Sequence, residues 1–167
     1  KDILCQEINT HRTCRYSQPI FRFIVSCGFV GYMPFAPGTW ASLLGCILIY
    51  LFPFHSLITN IVFICTFTIF SIISINMFEF TGEDPGYIVI DELIGMFITM
   101  AGHKTTFISL IAGFFLFRFF DIIKPYPVNA VESFRKGYGI VADDIIAGIY
   151  ANIVLWLGYL LFYCIWK

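Results

Sequence analysis

One segment decides how this chain is organised: Phe117-Arg118-Phe119-Phe120-Asp121-Ile122-Ile123-Lys124-Pro125-Tyr126-Pro127, followed later by the Asp143-Asp144 pair. Arg118, Asp121 and Lys124 recur at three-residue spacing at the end of an apolar run, which places them along one stripe of a helix. Proline disfavours the α region for the residue before it, so the helix is predicted to stop at Lys124. These charges either snorkel at a membrane boundary or form a catalytic site there.

The composition is that of an integral membrane protein. Hydrophobic residues make up 59% of the 167 residues and charged residues 13%, whereas soluble domains have about 25% charged residues. No charged residue occurs at positions 23–78 or 145–166, and nine of the eleven acidic residues lie between Glu79 and Asp144. Ionisable groups beside membrane segments are costly to bury, so this concentration predicts a functional site. No basic run of the kind that binds nucleic acid is present.

The apolar runs predict an all-α, polytopic membrane helical bundle with about four spanning or partly spanning helices. These helices are expected at Leu57–Phe78, Ile88–Ala101, Thr105–Phe120 and Ile145–Trp166, and short interfacial or re-entrant helices, among them the short apolar run Ala41–Phe52, are expected beside them. The run Ile20–Met33 would reach about 21 Å as a helix, too short for a ~30 Å membrane core. It is therefore predicted to be an interfacial or re-entrant helix, with a tilted short span as the alternative. Residues 1–19 are predicted to be a polar arm, and residues 20–167 one helical catalytic domain.

Tracing these helices back and forth across a membrane brings every candidate motif to the same face. Thr39, in the Pro-Gly-Thr segment, is expected to cap the next helix and to offer a phosphate site at its N-terminus. Asp143-Asp144 is expected to open the last helix, after a hinge at residues 137–139. Basic residues are more numerous on this face, so the site is predicted to face the cytoplasm. His55 and His103 fall on the opposite side.

Convergent carboxylates at a membrane interface would repel one another unless they are neutralised. The acidic residues concerned are Asp91, Glu92, Asp121, Asp143 and Asp144. A divalent cation with oxygen ligands, such as Mg²⁺, is the simplest neutraliser. Arg118 and Lys124 would then hold a phosphate, the arginine in a bidentate fork. This combination predicts phosphoryl transfer to water. The sequence motifs of cysteine-, aspartate- and histidine-nucleophile phosphatases are absent from the sequence.

Four blocks of this sequence resemble those of the phosphatidylglycerophosphatase A family, in the order found there. They are Ala36-Pro-Gly-Thr-Trp-Ala-Ser-Leu43, Ile88-Val-Ile-Asp-Glu-Leu-Ile-Gly95, Phe117–Pro127 and Gly137-Tyr-Gly-Ile-Val-Ala-Asp-Asp-Ile-Ile-Ala-Gly148. Ala41 departs from the glycine that is more frequent at its position, and residues 1–19 match nothing in the family.

The resemblance implies an Mg²⁺-dependent enzyme of the bacterial inner membrane that converts phosphatidylglycerophosphate to phosphatidylglycerol and phosphate. It implies that six acidic residues bind the metal. They are the five named above and Asp84, so that the full set is Asp84, Asp91, Glu92, Asp121, Asp143 and Asp144. Thr39, Arg118 and Lys124 fall in the matching motifs and would bind the substrate phosphate. The lipid substrate and the membrane are the expected partners. The oligomeric state is left open.

Three other functions fit parts of the pattern. A head-group phosphotransferase would also use carboxylate-bound Mg²⁺, but its Asp-Gly-x₂-Ala-Arg run is absent from the sequence. A cation or proton transporter would carry acidic residues near mid-membrane and often inverted repeats, whereas here the acidic residues cluster at predicted helix ends. A purely structural subunit would not need convergent acidic and basic residues.

Overall fold

The computed structural model describes residues 19–53, 56–77, 86–126 and 137–165. Within these ranges the chain is all-helical, as the sequence predicts, and contains no strand. Residues 19–25 form α1, and a 3-10 turn follows at Val30–Tyr32. The longer helices are α2 (Pro37–Leu51), α3 (Leu57–Met77), α4 (Ile90–Thr99), α5 (Phe107–Ile123) and α6 (Gly137–Ile165).

Two of the described helices are long and apolar enough to cross a membrane, namely α3 and the Tyr138–Ile165 part of α6. α2 is apolar, but its 15 residues reach only about 22 Å. α4 has ten residues, about 15 Å, and α5 has 17 residues that include Arg118 and Asp121. Two helices are therefore candidate membrane spans by length and composition, and the expected number of about four is not confirmed. The others are too short to cross a ~30 Å core unaided.

α4 is the central helix of the bundle, with eight of its ten residues buried. Gly95 makes this packing possible, because a Cβ there would overlap ring carbons of Phe117 and lie 3.1 Å from the carbonyl oxygen of Asp144. α4, α5 and α6 therefore meet at Gly95, within one turn of the α4 acidic residues. Phe117 is fully buried, which fixes the helical register of its neighbour Arg118.

The C-terminal end of α4 is completed by a side chain of α6. The side-chain amide nitrogen of Asn152 (Nδ2) lies 3.0 Å from the carbonyl oxygen of Ile98 and 2.9 Å from the carbonyl oxygens of Thr99 and Ala101. The last carbonyls of a helix have no partner within the helix. Asn152 supplies that partner in a part of the bundle where an unpaired carbonyl would be costly.

Large apolar side chains face outward on the two long helices. Ile58 of α3 is 75% exposed and Leu161 of α6 is 63% exposed. Contiguous apolar surface of this kind suits contact with lipid tails rather than water.

Three predicted boundaries are wrong. Ile20–Met33 is not one helix, because the chain turns after α1 and passes through left-handed Cys27, Gly28 and Phe29. Thr39 does not cap α2, which begins two residues earlier with Pro37 in its first turn, a position that proline favours.

The third wrong boundary is the start of the last helix. Asp143 and Asp144 do not open it, because α6 already includes Gly137 and the predicted hinge at residues 137–139 is its first turn. Asp143 and Asp144 therefore project from the side of a formed helix.

Candidate active site

The first turn of α4 carries two adjacent carboxylates, those of Asp91 and Glu92. The N–H of Val89 donates to the carbonyl oxygen of Val25 (2.9 Å), which ties the start of α4 to the end of α1. Asp91 is only 7% exposed. A helix N-terminus favours negative charge in its first turn, so this position partly offsets the cost of burying these carboxylates.

α6 brings a third carboxylate to the same point. Asp144 is 3% exposed, and one oxygen from each of Asp91, Glu92 and Asp144 lies within 4.8 Å of the others. These three residues are termed the acid triad. Several carboxylate oxygens converging at this spacing suit a hard divalent cation.

The two remaining aspartates of the cluster are paired with basic side chains. Arg118 Nη1 lies 2.6 Å from Asp121 Oδ2, and Lys124 Nζ lies 3.0 Å from Asp143 Oδ2. Lys124 adopts a left-handed conformation (φ 46°), and its N–H closes the last turn of α5 on the carbonyl oxygen of Phe120. The predicted end of this helix before Pro125 is confirmed. The five carboxylates thus divide into the acid triad and two ion-paired aspartates.

The N-terminus of α2 completes the site through a close approach at Gly38. A Cβ at this position would overlap Glu92 Oε1 and lie 3.2 Å from Arg118 Nη1. Only glycine leaves room for the acidic and the basic side chain to meet against the helix backbone. The N–H of Thr39, in the same turn, donates to the carbonyl oxygen of Ala36 (2.9 Å).

Burial dominates the electrostatics of the α4 carboxylates. Burial raises the pKa of Asp91 well above its ordinary range, and the nearby charges of Glu92 and Asp143 raise it further. Burial likewise raises the pKa of Glu92 to about 7, where a hydrogen bond with Asp91 and the charge of Arg118 oppose the rise and Asp121 adds to it. The protein alone therefore does not neutralise these carboxylates when both are ionised.

Polar atoms at the centre of this site have no partner within the described part of the chain. They are Asp91 Oδ1, Glu92 Oε2 and Arg118 Nε. Buried polar atoms are nearly always hydrogen-bonded in folded proteins. Two unpaired carboxylate oxygens fit a cation, and an unpaired guanidinium N–H beside them fits an anion. The donor set is thus compatible with a divalent cation and a phosphate bound together.

Most of the residues predicted from sequence lie together at this end of the bundle. The structure groups Asp91, Glu92, Asp121, Asp143, Asp144, Arg118 and Lys124 there, with Thr39 in the adjoining first turn of α2. Asp84 lies outside the described residues. Sequence reasoning missed the spatial roles of Gly38 and Gly95, although both lie in the motifs that it singled out. A glycine directly after a proline at a helix start was the available signal for Gly38.

An apolar helical bundle with buried acidic and basic side chains gathered at one end defines the class of helical membrane proteins with a charged candidate active site. Comparison with known proteins narrows this class. The chain belongs to the phosphatidylglycerophosphatase A family, whose model matches residues 23–159.

Two similar proteins that carry the family's name support this assignment. A phosphatidylglycerophosphatase A of Haemophilus influenzae is 37% identical over 131 residues, covering 72% of this chain and 77% of the relative. One of Escherichia coli is 33% identical over 150 residues, covering 81% and 83%. A Bacteroides thetaiotaomicron protein provisionally named as a phosphatidylinositol-3-phosphatase is 38% identical over 142 residues, covering 79% and 89%. No solved structure matches the chain. The chain is therefore a phosphatase and a membrane protein.

Proposed function

We propose that this protein hydrolyses phosphatidylglycerophosphate to phosphatidylglycerol and inorganic phosphate, with Mg²⁺ as its cation. The observation that carries the proposal is the set of unpaired buried atoms on Asp91, Glu92 and Arg118. It combines a place for a cation with a place for a phosphate in one site. The family membership supports the same reaction.

The acid triad is the proposed primary cation site. Its three carboxylates come from α4 and α6, and their oxygens lie within 4.8 Å of one another. Bound Mg²⁺ would neutralise these carboxylates and polarise the phosphate ester. Asp121 and Asp143 remain proposed ligands and catalytic carboxylates, next to the triad and within reach of the same phosphate. Asp84 remains a predicted ligand outside the described residues.

Arg118, Lys124 and Thr39 are the proposed phosphate-binding residues. Arg118 offers its unpaired Nε beside the acid triad, while its Nη1 is steadied by Asp121. Lys124 is positioned by Asp143. The Thr39 N–H is used within α2, so the Thr39 hydroxyl is the group proposed to contact phosphate. In the reaction a water oxygen bonds to phosphorus and the water gives up one proton, while the phosphorus–oxygen bond to the lipid breaks and the lipid oxygen takes up one proton.

The site is proposed to lie at headgroup depth on the cytoplasmic side of a bacterial inner membrane. Aromatic side chains favoured at membrane interfaces surround the start of α2. Phe29, Tyr32, Phe35 and Trp40 are all exposed there. Basic residues of the described part also favour this orientation, because Arg22, Arg118 and Lys124 belong to the site end and Lys104 to the opposite end.

Cysteine labelling tests the orientation. With native cysteines replaced, probes at Thr39 and Lys124 are expected to react with an impermeant reagent only from the cytoplasmic side. A probe at Lys104 should react only from the other side. Reaction of Thr39 and Lys104 from the same side would contradict the proposed topology.

Phosphate release from purified protein tests the reaction. The enzyme in detergent micelles is expected to release phosphate from phosphatidylglycerophosphate with Mg²⁺ present and to stop when EDTA is added. Restoration by added Mg²⁺ is the control for irreversible damage. Release that continues unchanged in EDTA would rule out the proposed cation.

A second lipid substrate is favoured by one relative. The Bacteroides thetaiotaomicron protein is provisionally named as a phosphatidylinositol-3-phosphatase. The lipid in that name also carries a phosphate monoester on its headgroup. Rates on both lipids, measured in the same micelles at equal surface concentration, distinguish the two. We expect the higher kcat/KM for phosphatidylglycerophosphate, and the reverse ranking would reassign the substrate.

A further inference from the structure

An apolar groove lies between α2 and α5, outside the acidic site. It encloses about 430 Å³. Cys46 and Leu110 are buried in it, whereas Ile47 and Ile111 are 47% and 43% exposed, so the groove is open along the bundle surface. Five residues of each helix line it, namely Leu43, Cys46, Ile47, Tyr50 and Leu51 of α2, and Phe107, Leu110, Ile111, Phe114 and Phe115 of α5.

One end of the groove lies close to the phosphate end of the site. α2 leads away from that end and α5 leads toward it, because Gly38 meets Arg118 at one end. Leu43 lies four residues after Thr39, and Phe114 lies four residues before Arg118. The upper end of the groove is therefore about one helical turn from the proposed phosphate-binding residues.

The length of the groove matches the depth of one leaflet. From Leu43 to Leu51 the α2 backbone rises about 12 Å, and half of a membrane core is about 15 Å. A lining without charged side chains offers nothing to a headgroup or to a polar peptide. A single hydrocarbon chain, anchored at its upper end by a phosphate, fits the shape, chemistry and direction of this groove.

We propose that the groove between α2 and α5 binds one acyl chain of the lipid whose phosphate occupies the acidic site. The inference rests on the proposed function for the identity of that lipid. It makes α2 and α5 a lateral entrance that positions the substrate before hydrolysis.

Filling the groove with a larger side chain tests this assignment. Ile47→Trp and Ile111→Trp are expected to lower kcat/KM at least about tenfold for the diacyl substrate, because several methylenes would be displaced from the groove. Rates on the deacylated, water-soluble headgroup phosphate should not change. Ile61→Trp, at a 48% exposed position on α3, is the matched control. Unchanged rates on the diacyl lipid, or equal losses on both substrates, would overturn the proposal.

Photocrosslinking tests the groove without any variant and separately from the reaction. A phosphatidylglycerophosphate with a diazirine on one acyl chain is expected to label the wild-type protein within residues 43–51 and 107–115. Labelling confined to α3 and α6 would overturn the groove proposal. Failure of the wild-type enzyme to hydrolyse the diacyl lipid would instead refute the proposed function, and the crosslinking result would still decide the groove.

Discussion

The two ends of α4 differ in what completes them. At its C-terminal end the carbonyl oxygens accept from Asn152, and the nearby His103 ring packs against Trp156 with a centroid distance of 4.9 Å. His103 Nε2 has no protein partner among the described residues, but His103 lines a cavity of about 580 Å³ together with polar residues such as Ser56 and Asn60, so water has room to pair with it. At its N-terminal end Asp91 and Glu92 keep unpaired buried oxygens. The backbone carbonyls at one end of α4 are paired by a protein side chain, whereas the carboxylates at the other end keep oxygens without a partner among the described residues.

Among the variants considered, removing one charge from the acid triad should lower catalytic activity most. Asp144→Asn keeps the side-chain volume but weakens cation binding, so kcat/KM at low Mg²⁺ is expected to fall about 10²- to 10³-fold. The thermal midpoint in detergent should stay level or rise, because like-charge repulsion is relieved. Normal activity at low Mg²⁺ would remove Asp144 from the proposed site. Asp91→Asn and Asp121→Asn extend the same assay to the other carboxylates.

Arg118→Lys should have the next largest effect, because it keeps the charge and loses the fork. Activity is expected to fall about 10- to 100-fold, as for residues that orient a bound group. Lys124→Gln provides the comparison at the other ion pair. If steady-state kinetics of both variants match the wild type, these side chains only snorkel at the interface.

Gly38→Ala should have a smaller effect, since it adds one methyl group where Glu92 and Arg118 meet. The displaced side chains are expected to lower kcat by about tenfold or more, because small misplacements of reacting groups are costly. Gly158→Ala is the matched control, as no atom lies within 4 Å of the added Cβ there. Equal kinetics for the two variants would show that the close approach at Gly38 has no part in the reaction.

Asn152→Ala should change kcat least. It removes the donor for the α4 carbonyls and is expected to cost about 1–3 kcal/mol of unfolding free energy. Activity per folded molecule should remain near wild type, measured after normalising to folded protein by gel filtration in detergent. A large loss of kcat with unchanged stability would place catalytic function at this end too.

The sequence was sufficient to predict the helical class, the end of α5 before Pro125 and most members of the charged cluster. Charges are rare in this chain, so their positions at predicted helix ends were informative. The sequence did not predict the turn after α1. Cys27 and Phe29 adopt left-handed backbone conformations there, and neither residue type favours that conformation on its own. These conformations are set by tertiary packing.

The start of α6 was missed for a related reason. Glycines 137 and 139 suggested a hinge, and each costs a helix about 1 kcal/mol. Burial of Val141 and Ala147 offsets that cost. The sequence also did not predict how the five carboxylates divide into the acid triad and two ion-paired aspartates. That division depends on which carboxylates lie next to Arg118 and Lys124 in the folded bundle.

The shortness of α4 has a consequence for the membrane as an insulator. After Glu92 the chain carries no ionisable side chain until His103, and the part of this stretch within α4, up to Thr99, rises about 10 Å. Buried Leu93, Ile94, Met96 and Phe97 fill that interval. In the orientation proposed above, no side chain of this interval would relay protons from the carboxylates to the opposite compartment. An enzyme with this arrangement would hold several acidic side chains at a membrane without offering a path for a proton leak along α4.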